Sequence, residues 1–165
     1  MKNKTPLLFL LGLVLISLLA NSCKKDTQGT IESVLTSSGW QLASATATTY
    51  LGDAVTSTTT LNPNCGLAQI FAFKTDNTCT YSNFDCIQQT STGKWTLSPD
   101  KLTLYVDMTC RDATTAGSLK PFELTRIINL GQYSMVIETG PVSNNSTTIP
   151  RTIRRYGFVR QKTTN

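Results

Sequence analysis

The sequence predicts an all-β domain, an antiparallel up-and-down barrel of eight or nine strands with a short N-terminal helical turn. Two observations support this prediction. Apolar residues recur at every second position along short segments, as one face of a half-buried strand requires. Turn-forming residues separate these segments at short intervals, which is typical of an antiparallel meander. A two-sheet sandwich is the competing architecture.

The clearest strand pattern lies between Gln69 and Leu97. The tetrapeptide TDNT at 75–78 predicts a tight turn, because Asp and Asn tolerate left-handed backbone angles and can bond nearby amides. A cysteine-bearing loop and then Gly93 precede the third strand. In each of the three strands the residues predicted to share one face are two positions apart: Phe71 and Phe73, Cys79 and Tyr81, Trp95 and Leu97.

The remaining elements follow the same reasoning in chain order. One or two helical turns are expected over 30–38, where Thr30 is a plausible N-cap and Ile31, Val34 and Leu35 share a face. Residues 110–120 and 140–150 are expected to be loops. Leu102, Leu104 and Val106 are expected to face the core. The other strands are predicted at 39–50, 53–61, 101–107, 122–130, 132–138 and 151–160.

Residues 1–22 have the pattern of a signal peptide. Lys2 and Lys4 form a positive start, and the apolar run that follows is shorter than the roughly 20 residues of a membrane-spanning helix. The ending LANSC resembles a bacterial lipobox, which implies a lipid anchor on Cys23; an ordinary signal peptide is the alternative. The predicted organisation is therefore 1–22 leader, 23–38 anchor, tether and short helix, 39–160 barrel, and 161–165 tail.

Four further cysteines remain after Cys23, and an even number in an exported domain favours disulfides. Cys65–Cys86 is the first expected pairing, because the two residues flank one hairpin. Cys79–Cys110 is the second, and Cys79–Cys86 stays an alternative. A metal site is disfavoured, since the chain has no His and no C-x-x-C motif.

The chain resembles the bacterial lipocalin-like domain lipoproteins over roughly residues 36–160. After the lipobox and a short tether, the shared features are a G-W pair, a cysteine before an F-x-x-D/N-G/N-T hairpin, a second cysteine, and G-x-W-x-L: Gly39-Trp40, Cys65, Phe73 to Thr78, Cys86, and Gly93 to Leu97. The resemblance implies a lipocalin-type barrel with no fixed ligand or activity. It also implies an arginine of the last strand over Trp40, and Arg154 is the candidate.

Function is expected to be binding rather than catalysis. The absence of His excludes Ser-His and Cys-His catalytic pairs, no pair of carboxylates has catalytic spacing, and no cofactor is predicted. The expected site is a cavity for a small hydrophobic ligand, lined by Phe71, Phe73, Tyr81, Trp95, Leu104 and Phe122. The alternative is that these residues fill the barrel, which then acts as a structural or partner-binding module of the envelope.

The membrane is the expected partner, through the N-terminal lipid, and nucleic acid is not. Lys24 and Lys25 directly follow the anchor cysteine, whereas some surface-exported lipoproteins have acidic residues there. A periplasm-facing outer-membrane location is therefore the expectation.

Overall fold

The computed structural model describes residues 26–62, 64–112, 118–143 and 145–161. The predicted leader and Cys23 lie outside this part of the chain. The described residues form one α-helix, α1 (Asp26–Thr36), and a 3-10 turn (Phe84–Cys86). The strands are β1 (Trp40–Leu51), β2 (Ala54–Thr60), β3 (Ile70–Phe73), β4 (Thr78–Ser82), β5 (Thr90–Leu97), β6 (Thr103–Met108), β7 (Cys110–Arg111), β8 (Ser118–Leu119), β9 (Thr125–Leu130), β10 (Ser134–Thr139) and β11 (Arg151–Arg160).

Eight strands close into an up-and-down barrel. Their order is β1-β3-β4-β5-β6-β9-β10-β11, and β11 returns to β1, with every pair antiparallel. One edge of β1 pairs with two different strands. Trp40 and Gln41 pair with β3, whereas Thr46–Leu51 pair with the extra strand β2. The all-β barrel prediction is confirmed, and the closure excludes the sandwich.

The tight turn between β3 and β4 forms as predicted. Asn77 adopts a left-handed backbone with φ of 64°. The Asp76 carboxylate accepts hydrogen bonds from the Thr78 amide at 2.9 Å and from its hydroxyl at 2.6 Å. These hydrogen bonds lower the pKa of Asp76 below its ordinary value.

Helix α1 closes one end of the barrel, called here the closed end. Leu35 is fully buried, Ile31 and Val34 pack against the core, and the Trp40 indole N–H donates to the Leu35 carbonyl at 2.9 Å. The predicted face was right, but the helix begins at Asp26 rather than Thr30. The polar segment before Ile31 has no apolar periodicity that would have indicated this longer helix.

Other boundaries differ from the expectation. The predicted 110–120 loop contains the short β7–β8 hairpin. Strand β9 begins at Thr125, and Phe122 lies buried in the turn before it. Leu104 and Val106 are buried as expected, but Leu102 is 61% exposed. Strand β6 starts after Leu102, which therefore lies at the rim of the closed end instead of in the core.

Candidate functional site

The end opposite α1, called here the mouth, contains a cleft of about 260 Å³. It lies where β1, β10 and β11 meet the segments that connect β2 to β3, β4 to β5, and β6 to β9. Its apolar lining consists of Leu42, Ala45, Leu61, Phe84, Leu119, Pro121 and Tyr156. Its polar lining consists of Asn62, Gln69, Asp85, Asp112, Thr139 and Arg154.

The six residues predicted to line a cavity belong instead to the packed core. Each is at most 4% exposed, and none of them lines the mouth cleft. Phe71 is central, with ring centroids 4.2 Å from Phe73, 5.1 Å from Tyr81 and 5.0 Å from Phe122. The ring of Trp95 meets Phe73 edge-on at 5.6 Å. Leu104 belongs to the same buried cluster. At this level the side chains pack against one another.

Phe84 and Tyr156 separate the cleft from this core. The Tyr156 ring lies 5.3 Å from Phe122, and the Phe84 ring lies 5.5 Å from Tyr81. Burial raises the pKa of Tyr156 to about 12, so its hydroxyl is neutral at physiological pH. Tyr156 lies in the strand predicted at 151–160. Sequence reasoning missed Phe84, which lies in a 3-10 turn without periodicity.

The charged side chains of the cleft differ in whether they already interact with other groups of the protein. Asp85 and Asp112 each have interactions of their own within the protein. Arg154 is exposed to the mouth, and its guanidinium makes no ion pair within the part of the chain that the structure describes. Gln69 and Thr139 add buried polar side chains beside it. A positive charge, hydrogen-bonding groups and apolar surface therefore share one small cleft.

A disulfide joins two walls of the cleft. The predicted Cys65–Cys86 bond is present, with a sequence separation of 21 residues. Cys65 belongs to the β2–β3 connection, which contributes Leu61 and Asn62 to the cleft, and Cys86 directly follows Phe84 and Asp85. The bond holds these two segments together.

The predicted second pairing, Cys79–Cys110, is wrong, because both residues are free buried thiols. Cys79 pairs with Gly93 of β5, and Gly93 pairs with Met108 of β6. Strand β5 therefore lies between Cys79 and the end of β6 that precedes Cys110, so the two thiols are not on neighbouring strands. Burial raises the pKa of Cys79 to about 12 and also raises that of Cys110.

The arginine over Trp40 is Arg160, not Arg154. The Arg160 guanidinium carbon lies 5.2 Å from the Trp40 ring centroid, and the Nη2 N–H of Arg160 donates to the Val34 carbonyl at 3.2 Å. Residues 40 and 160 are direct partners in the β1–β11 register, whereas Arg154 lies opposite Ala47 near the mouth. The contact thus belongs to the closed end and leaves Arg154 at the cleft.

A second depression of about 490 Å³ lies along β1 beside the β2–β3 connection. Its floor is the stretch of β1 between the residues paired with β3 and those paired with β2. It shares five lining residues with the cleft: Leu42, Ala45, Leu61, Asn62 and Gln69. The same side chains thus border the mouth and a groove on the outer wall.

Comparison of the chain with models of known protein families and with curated proteins found no match. Among the described residues, no group of three or more His, Cys, Asp or Glu side chains is arranged to hold a metal ion. The helix in this part of the chain is not long and apolar enough to cross a bilayer.

Proposed function

We propose that this protein binds a small, mainly apolar molecule with an anionic head group in the mouth cleft. The observation that supports the proposal is the cleft itself, in which seven apolar side chains lie beside Arg154. Ligand sites commonly combine an apolar lining with a few polar groups that fix orientation. A volume of about 260 Å³ suits a ligand smaller than most drug-sized molecules.

The preference for an anionic head group follows from which charged residues of the cleft already have interactions within the protein. Arg154 has no ion pair in the described part of the chain, whereas Asp85 and Asp112 already interact within the protein. A carboxylate or phosphate on the ligand would accept hydrogen bonds from the Arg154 guanidinium, which presents planar paired donors.

The cellular setting is part of the same proposal. The lipobox resemblance at Cys23 supports a lipid-anchored protein of the bacterial outer membrane that faces the periplasm. The barrel and the Cys65–Cys86 disulfide fit an exported lipocalin-like lipoprotein, because disulfides persist in oxidising compartments. On this proposal the protein is a binding protein and not an enzyme.

The packed aromatic core favours a second candidate function. Small eight-stranded barrels are often filled by their own side chains. If the mouth cleft holds no ligand, the protein would be a structural or partner-binding module of the envelope. The two candidates differ in whether the cleft shows saturable binding.

Calorimetric titration of residues 26–165 with octanoate, octan-1-ol and octyltrimethylammonium tests the proposal. Octanoate should bind saturably and more tightly than the other two. The Arg154→Gln variant should lose about tenfold or more in octanoate affinity, since a hydrogen bond to a charged group contributes about 1.5–3 kcal/mol. Lys94→Gln, on the outer face of β5, is the matched control and should bind normally.

A second pair of variants tests the location. Ala45 is buried in the cleft, so Ala45→Phe should fill it and abolish octanoate binding. Ala54 is exposed at the start of β2, and Ala54→Phe should leave binding unchanged. Absence of saturable heat with all three probes, or equal binding by both phenylalanine variants, would overturn the cleft proposal and favour the filled-barrel module.

A further inference from the structure

Among the residues that the structure describes, four large apolar side chains are exposed around the closed end, and together they are called here the closed-end rim. Their exposed fractions are far above those of the core: Leu102 61%, Ile128 46%, Tyr133 71% and Val159 46%. Leu102 is two and four positions before Leu104 and Val106, which face inward and are buried, and yet Leu102 itself is exposed. Helix α1 covers the core at this end and leaves the rim uncovered.

The rim extends over neighbouring strands. The Ile127 amide donates to the Leu102 carbonyl at 2.8 Å, which places Leu102 beside Ile128. The Arg160 amide donates to the Tyr133 carbonyl at 2.9 Å, and Val159 pairs with Ser134. The four side chains thus follow the barrel edge from β6 through β9 and β10 to β11.

The segment between Glu32 and Cys23 is short, which limits how far from the closed-end rim a lipid on Cys23 can lie. The Lys101 ammonium contacts the Glu32 carboxylate at 2.6 Å, so an ion pair joins α1 to the residue directly before Leu102. Asp26 precedes Glu32 by six helical residues, or about 9 Å. Cys23 precedes Asp26 by three more residues, which span at most about 11 Å. A lipid on Cys23 therefore stays within roughly 20 Å of Glu32 along the chain.

We propose that the closed-end rim rests on the bilayer that holds the lipid of Cys23, so that the mouth cleft faces away from the membrane. This inference rests on the lipid attachment proposed above. The transfer of Leu, Ile and Val side chains out of water lowers the free energy, and Tyr is typical of the membrane interface. Strand β11 has ten residues, about 34 Å along the strand or about 26 Å along the axis of a barrel with strands tilted by about 40°, which places the mouth beyond the reach of this short connection.

The charges near the anchor agree with a lipid surface. Lys24 and Lys25 directly follow Cys23 and would meet anionic head groups. Asp76 and Asp100, in two closed-end turns, stay ionised because hydrogen bonds within their own turns lower their pKa, so the attraction to anionic lipid comes from the two lysines. Exposed apolar residues also occur at the mouth, Val55 among them, but no short connection brings those to the anchor.

The test compares two introduced tryptophans in the full lipidated chain on vesicles that contain bromine-labelled phosphatidylcholine. Tyr133→Trp reports on the rim, and Thr56→Trp reports on the exposed strand β2 near the mouth. The bromolipid should quench most of the additional emission of Tyr133→Trp and none of that of Thr56→Trp. Wild-type protein supplies the background from Trp40 and Trp95, both of which are buried.

A chemical tether separates failure of the anchor from failure of this inference. Coupling Cys23 of the mature chain to a maleimide lipid attaches the same position without cellular processing. Cys79 and Cys110 are buried and should not react under native conditions. If cellular acylation fails, the anchoring proposal fails, and the tethered protein still tests the orientation. Quenching at residue 56, or equal quenching at both positions, would overturn the proposed orientation.

Discussion

Truncation of Phe71 to alanine should strongly destabilise the barrel if aromatic side chains fill its interior. The ring is fully buried and lies within 6.2 Å of four other aromatic rings, those of Phe73, Tyr81, Phe122 and Phe158. A buried Phe→Ala change costs about 3–5 kcal/mol, because it loses both the transfer free energy and the contacts around the new void. We expect Phe71→Ala to lie in this range.

Urea unfolding of residues 26–165 measures the loss directly. The urea midpoint should fall while the slope stays unchanged, because the surface that becomes exposed on unfolding is nearly the same in the variant and in wild type. The melting temperature should fall by about 10 °C, at roughly 2–4 °C per kcal/mol for a domain of this size. Because the void is apolar, benzene should raise the melting temperature of Phe71→Ala and leave that of wild type unchanged.

Phe84→Ala is the matched control. Phe84 is nearly as buried but borders the mouth cleft, so its removal enlarges a space that is already open to water. We expect a loss of at most about 2 kcal/mol, below the usual range for sealed sites, together with altered octanoate binding. A loss below about 1.5 kcal/mol for Phe71→Ala would refute the filled interior, because a ring at the wall of a large cavity leaves no new void.

Three further predictions concern other features of the fold. Replacing both members of Cys65–Cys86 by serine should lower the free energy of unfolding by about 3 kcal/mol, by urea titration; a loss below about 1 kcal/mol would contradict the expected constraint on the unfolded chain. Gly93→Ala should cost about 1–3 kcal/mol in the same assay, because the new Cβ would meet backbone atoms of Asp107, whereas Gly66→Ala, with open space around it, should be neutral; equal effects would argue against the close β5–β6 approach. Stability should be constant near neutral pH and fall between about pH 9 and 12, because unfolding releases the protons of Cys79 and Tyr156, whose pKa values are raised from 9.0 and 10.0 to about 12 by burial; undiminished stability at pH 11 would contradict this.

The parts of the fold that depend on local pattern could be predicted from the sequence. The alternation around Phe71 and Phe73 indicated one buried strand face, and the TDNT turn joined that strand to the next. The Cys65–Cys86 bond could be predicted because its two residues flank a single hairpin. In each case the decisive contact lies within about 20 residues along the chain.

Features set by long-range register could not be predicted in the same way. The contact between Trp40 and Arg160 depends on how β1 aligns with β11, where an irregularity between Leu42 and Ser44 shifts the register. The pairing of Cys79 with Cys110 failed for a similar reason, since an intervening strand separates them. The cleft escaped prediction because its lining comes mainly from connections such as that of Phe84, in which no periodicity marks the inward side chain.

The predicted cavity residues show the difference between burial and function. Alternation correctly placed rings such as Tyr81 and Trp95 inside the barrel. It could not show whether opposite walls are far enough apart to leave a cavity, because that depends on the packing of all eight strands at once. The structure brings the rings into contact and leaves the cleft above them, at Phe84 and Tyr156.

Backbone and indole NMR during an octanoate titration of ¹⁵N-labelled protein tests the central claim most directly. The Trp40 and Trp95 indole N–H groups donate to carbonyls at the closed end, of Leu35 and Lys74, and report on the filled interior. We predict saturable shifts at the amides of Ala45, Phe84 and Tyr156 with both indole signals unchanged. Shifts of the indole signals without changes at the mouth, or no saturable shift anywhere, would contradict ligand binding in the mouth cleft.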